Sequence, residues 1–171
     1  YSFQNALDAQ VMGLEFDVQL SGRRFSEALE NFSFQGNLSV IESEVNVRAE
    51  GIYQPTNLNR PLEGQAPYVL NAGLNYASPA GVEAGLFYNR FGERLTAAGG
   101  SGLPDIFEQS RHGLDATIAF PLLQGARAKI KATNLLDQDY TFLQSAEGYE
   151  QIQRQYSIGR TLSVGLSWEL R

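Results

Sequence analysis

Seven segments of this chain alternate apolar and polar residues with a period of two, and this alternation restricts the fold more than any other feature. In residues 11–20, the even positions hold Met12, Leu14, Phe16, Val18 and Leu20. Successive side chains of a strand point to opposite faces, so each segment predicts a strand with an even-numbered apolar face and an odd-numbered polar face. The other six segments are residues 32–40, 68–76, 82–88, 112–120, 126–132 and 162–170.

These segments predict an all-β fold with antiparallel, up-and-down strands. Each is close to the ~9–11 residues with which a tilted strand crosses a bilayer. A soluble sandwich also alternates in this way, so the alternation by itself leaves both folds open. No stretch approaches the ~20 apolar residues of a transmembrane helix.

The connections between the segments differ in length at the two ends of the strands. Residues 78–81 and 121–125 are tight turns, whereas residues 46–66, 92–106 and 135–160 are long. Outer-membrane barrels have short periplasmic turns and long extracellular loops. Only residues 21–31 are longer than a short turn should be.

Aromatic residues of the apolar face gather at the ends of the segments. Four of them fall at the end of the strands where the short turns lie, namely Phe32, Tyr76, Phe120 and Trp168. The other two fall at the end where the long loops lie, namely Tyr68 and Tyr88. Tyr68 and Tyr76 are eight residues apart, about 20 Å of height at ~3.3 Å per residue and ~40° of tilt. This is close to the ~25 Å apolar band between the aromatic girdles of a membrane barrel, so we interpret the six residues as a lipid-interface girdle.

Charged residues within these segments keep to the polar face, as a membrane barrel requires. A Lys or Arg facing lipid at the middle of a bilayer costs roughly 2–4 kcal/mol. After Val40 the apolar residues change parity, to Ile41, Val45 and Val47. This change predicts either a β-bulge near residues 40–41 or a strand that continues above the bilayer.

The composition argues against several classes of function. The 171 residues include no Cys and a single His, and the net charge is -6. A chain without Cys has no disulfide framework and no thiolate metal site, and an acidic chain does not favour a nucleic-acid partner. The spacing of Arg127, Lys129 and Lys131 fits a solvated strand face or a phosphate-binding patch.

No catalytic or metal-binding residue is predicted, and the chain is not expected to be an enzyme or to hold a cofactor. His112 has no evident triad partner, although Ser110 shares its face. A membrane hydrolase acting through His112 is the alternative to an interfacial histidine. Residues 137–139 lack the Gly and Glu of a calcium loop and predict a turn after Asn134. Residues 99–102, GGSG, predict a flexible surface loop.

Residues 131–140, KATNLLDQDY, strongly resemble the penultimate-strand motif of TonB-dependent receptors. The positions that carry the motif are Asn134, Leu135, Asp137 and Tyr140. Residues 159–170 are similar to the closing strand of the same family. The resemblance extends along essentially the whole chain and is specific near its C-terminal end.

This resemblance implies a 22-stranded outer-membrane barrel of a Gram-negative bacterium, of which residues 1–171 would form about seven C-terminal strands. The plug domain and the earlier strands would be absent from this chain. Such receptors import a scarce nutrient, most often a ferric siderophore and otherwise haem, cobalamin or a glycan, with energy from the TonB complex. The implied partners are outer-membrane lipid, the plug, the remaining strands, the TonB complex and a small-molecule or metal-chelate substrate.

The resemblance also suggests roles for six residues of the polar face. Low in the lumen, Asp115, Arg127 and Lys129 are expected to contact the plug. Higher up, Asn89, Arg111 and Lys131 are expected to line the substrate path. The alternative function is a small self-contained barrel that serves as an anchor or adhesin, in which residues 12–20 would close on residues 162–170 instead of pairing with strands outside this sequence.

Overall fold

The computed structural model describes residues 6–48, 54–123, 125–146 and 148–168, and these ranges contain twelve β-strands and two short 3-10 turns. The strands are β1 Asp8–Ser21, β2 Phe32–Asn46, β3 Asn59–Arg60, β4 Tyr68–Ala77, β5 Glu83–Phe91, β6 Arg94–Ala97, β7 Ile106–Glu108, β8 Arg111–Pro121, β9 Ala126–Thr133, β10 Tyr140–Ala146, β11 Tyr149–Tyr156 and β12 Thr161–Trp168. In the same ranges no helix is long and apolar enough to span a membrane.

The seven predicted strands form one antiparallel sheet in the order β1-β2-β4-β5-β8-β9-β12, to which β3 is added at the edge of β2. The all-β class and the up-and-down order are therefore confirmed. Partners across the sheet have the same parity, as in the pairs Phe16↔Leu38 and Leu74↔Leu86. The apolar faces of the seven strands consequently join into one continuous surface. The predicted last strand extends to residue 170, but residues 169–171 lie outside the described ranges.

Short turns lie at one end of this sheet and long loops at the other, as predicted. The β4–β5 turn is closed by Ser78 N donating to Val82 O over 2.8 Å, and the β8–β9 turn by Leu122 N donating to Ala126 O over 3.0 Å. Gly81 and Gly125 supply the positive φ angles of these turns. The longer β1–β2 connection contains the 3-10 turns Gly22–Arg24 and Glu27–Leu29.

The change of parity after Val40 comes from a strand that continues, and not from a bulge. β1 and β2 pair without a shift of register from Ser21↔Ser33 to Asp8↔Asn46. Pairing of β2 with β4 ends at Val40↔Tyr68, beyond which β2 pairs with β3. The upper part of β2 therefore has a different neighbour and a different environment, which explains why its apolar residues move to the other face.

The long loops are not irregular. β6 and β7 come from the connection between β5 and β8, β10 and β11 come from the one between β9 and β12, and together they form a second sheet in the order β11-β10-β7-β6. We call this sheet, with residues 54–58 and 98–105, the loop cap. The surface loop predicted at residues 99–102 is found only at Ser101 and Gly102, which form an exposed turn, because Gly99 and Gly100 are buried and Gly100 bridges to Pro55.

Little of the main sheet is buried. Among the described residues, the buried apolar side chains are Val47, Ala66, Leu95, Ala119, Ala128 and Phe142. Only Ala119 and Ala128 belong to the seven long strands below the loops. The large side chains of the apolar face are open, with Met12 74% and Leu166 76% exposed. This surface is not covered by any described part of the chain.

The sheet is open, with β1 and β12 at its two edges. Seven strands that alternate in direction leave the first and the last strand running the same way, from the loop end to the turn end. An antiparallel ladder needs opposite directions, so β1 and β12 cannot close the sheet by pairing with each other antiparallel. The alternative in which residues 12–20 close on residues 162–170 is therefore not found.

Candidate functional site

The polar face of the main sheet holds the candidate site, and all six predicted site residues point into it. Near the loop end, this face carries an open depression of about 820 Å³. Its lining includes Asp17, Asn37, Asn71, Phe87, Asn89 and Asp115. A second depression of about 370 Å³ at the turn end is lined in part by Glu83, Arg127 and Lys129.

A ladder of asparagines crosses the larger depression. Asn37, Asn71 and Asn89 are register partners on β2, β4 and β5. The Asn89 side-chain amide donates to Asn71 Oδ1 over 2.7 Å, and the Asn37 amide donates to Asp17 Oδ1 over 2.8 Å. Each amide also offers a second hydrogen-bonding group. The depression can therefore hydrogen-bond a polar ligand or a polar protein surface.

The basic residues of β9 follow one face of the strand, as their spacing predicted. Arg127 forms an ion pair with Glu83 at 2.8 Å, between two partly exposed side chains. Lys129 and Lys131 are both exposed. Lys129 lies between Ala119 on β8 and Gly165 on β12, and Lys131 lies between Thr117 on β8 and Ser163 on β12. Because these neighbours are small and uncharged, the two ammonium groups present positive charge to the polar face.

The expected heights of two site residues are wrong. Lys131 pairs with Thr117, whereas Asp115 lies two residues nearer the loop end of β8. Asp115 Oδ1 accepts a hydrogen bond from Asn134 N over 3.0 Å, so this carboxylate orders the end of β9. Sequence reasoning placed Asp115 low because alternation gives the face of a residue but not its register against the next strand.

Arg111 is tied to the loop cap. Its guanidinium carbon lies 3.8 Å from the centroid of the Tyr140 ring and 5.3 Å from that of Phe91. Tyr140 stacks in turn on Tyr156, with centroids 4.9 Å apart and planes at 6°. Cation–aromatic contacts of this kind fix the direction of a guanidinium, and here they hold Arg111 at the junction between β8 and β10.

The motif of residues 134–140 contains the turn between β9 and β10, as the sequence predicted, and this turn contacts the connection between β11 and β12. Asn134 and Asp137 have positive φ angles of 56° and 49°, a conformation that Asn and Asp tolerate better than most residues. Asp137 Oδ1 accepts from Ser157 Oγ over 2.9 Å, and Leu135 O accepts from Arg160 Nε over 3.0 Å. These contacts tie the start of the last long loop to its end.

The six aromatic residues assigned to the girdle all lie on the apolar face. Phe32 and Tyr76 are register partners with ring centroids 4.9 Å apart, at the turn end. Phe120 and Trp168 are near the same end of β8 and β12. Tyr68 and Tyr88 lie at the loop end, on β4 and β5.

His112 is engaged in this upper girdle. Its Nδ1 lies 2.6 Å from the Tyr88 hydroxyl, and its backbone N donates to Gln138 Oε1 over 2.7 Å. Ser110 is not among its hydrogen-bonding partners in the described ranges. The part of the chain that the structure describes contains no group of three or more His, Cys, Asp or Glu side chains placed to hold a metal ion.

Sequence reasoning missed the polar anchors of the loop cap. Asp105 is only 3% exposed, and it accepts from Gly99 N over 2.6 Å and from Asn57 Nδ2 over 2.8 Å. Glu108 is buried and pairs with Arg94 at 2.7 Å. β6 and β7 are only four and three residues long. The longer β10 and β11 do not alternate apolar and polar residues, so no period-two pattern distinguished them from a loop.

No protein-family model and no curated protein matches this chain. The crystal structure of the ferric yersiniabactin uptake receptor FyuA from Yersinia pestis is similar to it, with a TM-score of 0.67 and 18% identity. The match covers 98% of this chain and 24% of that receptor, so the chain spans about a quarter of the receptor's length. The predicted fold class, a section of a larger outer-membrane β-barrel, is thereby confirmed.

Proposed function

We propose that this chain is part of the barrel of a TonB-dependent receptor that imports a ferric siderophore across the bacterial outer membrane. The observation that carries the proposal is the uncovered apolar face of the main sheet, bordered by aromatic residues at both ends and backed by a polar face. The proposed location and the proposed transport are supported by different features of the structure.

The apolar face supports a membrane location. Leu14, Val164 and Leu166 are 68%, 67% and 76% exposed, and burying one such side chain is worth roughly 1.5–3 kcal/mol. Soluble proteins rarely leave a continuous apolar surface of this extent. In lipid the same surface is stabilising, and the aromatic girdle matches the two interfaces.

The open sheet supports a barrel larger than this chain. The edges β1 and β12 carry unpaired backbone groups in the described structure, and a bilayer does not tolerate such edges. Because these two strands run in the same direction, antiparallel closure needs an odd number of further strands between them. This requirement disfavours the alternative of a self-contained barrel that acts as an anchor or adhesin.

Transport is supported by the polar face, the loop cap and the likeness to a siderophore uptake receptor. The asparagine ladder and the exposed Lys129 and Lys131 give the inner side of the sheet a hydrated, partly cationic surface. We propose that Asn89, Arg111 and Lys131 line the substrate path, and that Arg127 and Lys129 contact a plug domain. We assign Asp115 to the same plug-facing surface. Its carboxylate also accepts a hydrogen bond from Asn134 N and so orders the end of β9.

The test is uptake by cells that lack the protein. We expect deletion to abolish uptake of one ferric siderophore from a panel of catecholate, hydroxamate and phenolate chelates, and expect deletion of TonB to abolish the same uptake. Re-expression of the intact protein is the control and should restore it. Normal uptake of every ferric chelate, haem, cobalamin and glycan tested would contradict import. Loss of haem or cobalamin uptake alone would change only the substrate.

A further inference from the structure

An arginine, a histidine and two tyrosines lie together at the loop end of the apolar face. We call Tyr68, Tyr88, Arg90 and His112 the rim cluster. Arg90 is the register partner of both Leu70 on β4 and His112 on β8. Tyr88 precedes Arg90 by two residues on the same face. The four side chains therefore form one patch, at the level where the apolar residues of β5 and β8 end.

The contacts within the rim cluster orient its nitrogen atoms. The Tyr88 hydroxyl is 2.6 Å from His112 Nδ1. When that hydroxyl donates to Nδ1, Nε2 carries a hydrogen and is a donor directed away from the tyrosine. The Arg90 guanidinium carbon lies 5.7 Å from the centroid of the Tyr68 ring, and Arg90 Nε is buried without a hydrogen-bond partner in the described structure.

Within the part of the chain that is described, no carboxylate forms an ion pair with Arg90 or His112. The acidic residues on the same face of the main sheet are Asp8 on β1 and Glu42 and Glu44 on the upper part of β2, so all of them are at least two strands away from β5. Glu44 is already engaged, because Asn59 Nδ2 donates to it over 2.7 Å. The positive charge of Arg90 is therefore not paired with a carboxylate in the described part of the chain.

An arginine that lies on a lipid-facing surface without a carboxylate partner is stabilised by an anion from the membrane. A guanidinium matches the geometry of a phosphate through two parallel hydrogen bonds. We propose that the rim cluster binds a phosphate group in the headgroup of a lipid of the outer leaflet. Arg90 and the Nε2 of His112 donate to the phosphate oxygens, while Tyr68 and Tyr88 pack at the headgroup level. This inference rests on the proposed membrane location, but it does not depend on which nutrient is imported.

The experiment measures binding of fluorescent diphosphorylated lipid A to the intact protein, purified from outer membranes in a non-ionic detergent. Removing one cation near a membrane surface weakens binding about fivefold, so we expect Arg90→Gln to raise the Kd by about that factor. Arg90→Gln with His112→Gln should raise it further. The matched control is Arg24→Gln, which removes the same charge from an exposed position at the turn end and should leave the Kd unchanged. Lipid A without phosphates should bind the wild type and the variants equally weakly.

Three outcomes would overturn the assignment. They are an unchanged Kd in the double variant, an equal loss in Arg24→Gln, and displacement of the lipid by millimolar inorganic phosphate, which would indicate a site for free phosphate. Correct folding of each variant is checked by its shift in gel mobility on heating. Weakened lipid binding with normal uptake of the siderophore supports the rim cluster separately from transport. Absence of the protein from the outer membrane would overturn the lipid site and the proposed function together.

Discussion

The side-chain amide of Asn134 donates to the carbonyl oxygen of Gly159 over 2.7 Å, and this bond joins the end of β9 to the residues just before β12. The two partners are 25 positions apart in the chain, and both β10 and β11 lie between them. The backbone N of Asn134 is bound at the same time by Asp115 on β8. One residue thus fixes the base of the last long loop against two barrel strands.

Replacing Asn134 should therefore destabilise the sheet at its loop end. In Asn134→Ala, the amide bond to Gly159 is lost, at about 0.5–1.5 kcal/mol, and an alanine must adopt a positive φ, at about 1–2 kcal/mol. We expect the free energy of unfolding, measured by urea titration in detergent, to fall by about 2–3 kcal/mol. Asn134→Gly loses only the bond, since glycine adopts this φ freely. An alanine variant no less stable than the glycine variant would contradict this account.

The two faces of β4 should respond in opposite ways to a positive charge. Leu74 lies on the apolar face and is 46% exposed, and its neighbour Asn75 lies on the polar face. Leu74→Arg should cost roughly 2–4 kcal/mol when the protein is folded into vesicles, whereas Asn75→Arg should cost little. The measurement is the free energy of unfolding from lipid. Equal losses at the two positions would refute the assignment of the faces.

Gly85 makes room for an aromatic ring on the polar face. A Cβ atom at this position would lie 2.7 Å from Cε2 of Phe87, whose ring also covers Gly73, the register partner of Phe87. Gly85→Ala should force this ring to move, at about 1–3 kcal/mol of stability. The cost should largely disappear when Phe87→Ala is present as well.

The matched control for Gly85 is Gly165 on β12. A Cβ atom there would approach only Lys129 O, at 3.9 Å. Because alanine restricts the unfolded chain more than glycine does, Gly165→Ala should be neutral or stabilising by up to about 1 kcal/mol. Unfolding in urea compares the two variants, and a similar loss in both would show that the ring of Phe87 is not the cause.

Asp105 should stabilise the loop cap without affecting the main sheet. Asp105→Ala removes the acceptor of Gly99 N and of the Asn57 amide. Gly99 is buried, and leaving its N–H unpaired costs roughly 1–3 kcal/mol, whereas Asn57 is exposed and its amide can bind water. We expect faster hydrogen exchange in β6 and β7, with no change in β4 and β5. Asp139→Ala is the control, because Asp139 is exposed and accepts one bond, from Gln155. Uniform acceleration in all strands would contradict a local role.

Alternation was sufficient to predict the seven long strands, because a residue's face depends only on its position along its own strand. Val164 and Leu166 could be assigned to the apolar face without knowing what β12 pairs with. The positions of the turns followed from the same pattern, with Gly81 and Gly125 at the places where a positive φ is needed. The motif at Asn134 was recognisable for a similar reason, since its residues lie close together in the sequence.

The sequence did not predict the register between neighbouring strands or the contacts between the loops. Asp115 lies nearer the loop end than Lys131 because β8 and β9 pair Thr117 with Lys131, and no pattern within one strand fixes that offset. Residues 99–102 look flexible by composition, yet Asp105 and Pro55 hold Gly99 and Gly100 in a buried position.

The all-β class, the two faces of each strand and the ends at which turns and loops lie could thus be predicted from the residues alone. Only the folded structure shows that the loops form a second sheet and that Arg90 and His112 are register partners at the loop end. It also shows that the two edge strands, β1 and β12, run in the same direction. The physical reason is the range of the interactions. Faces and turns follow from the local backbone geometry of a few residues, whereas register, loop packing and closure depend on partners many residues apart.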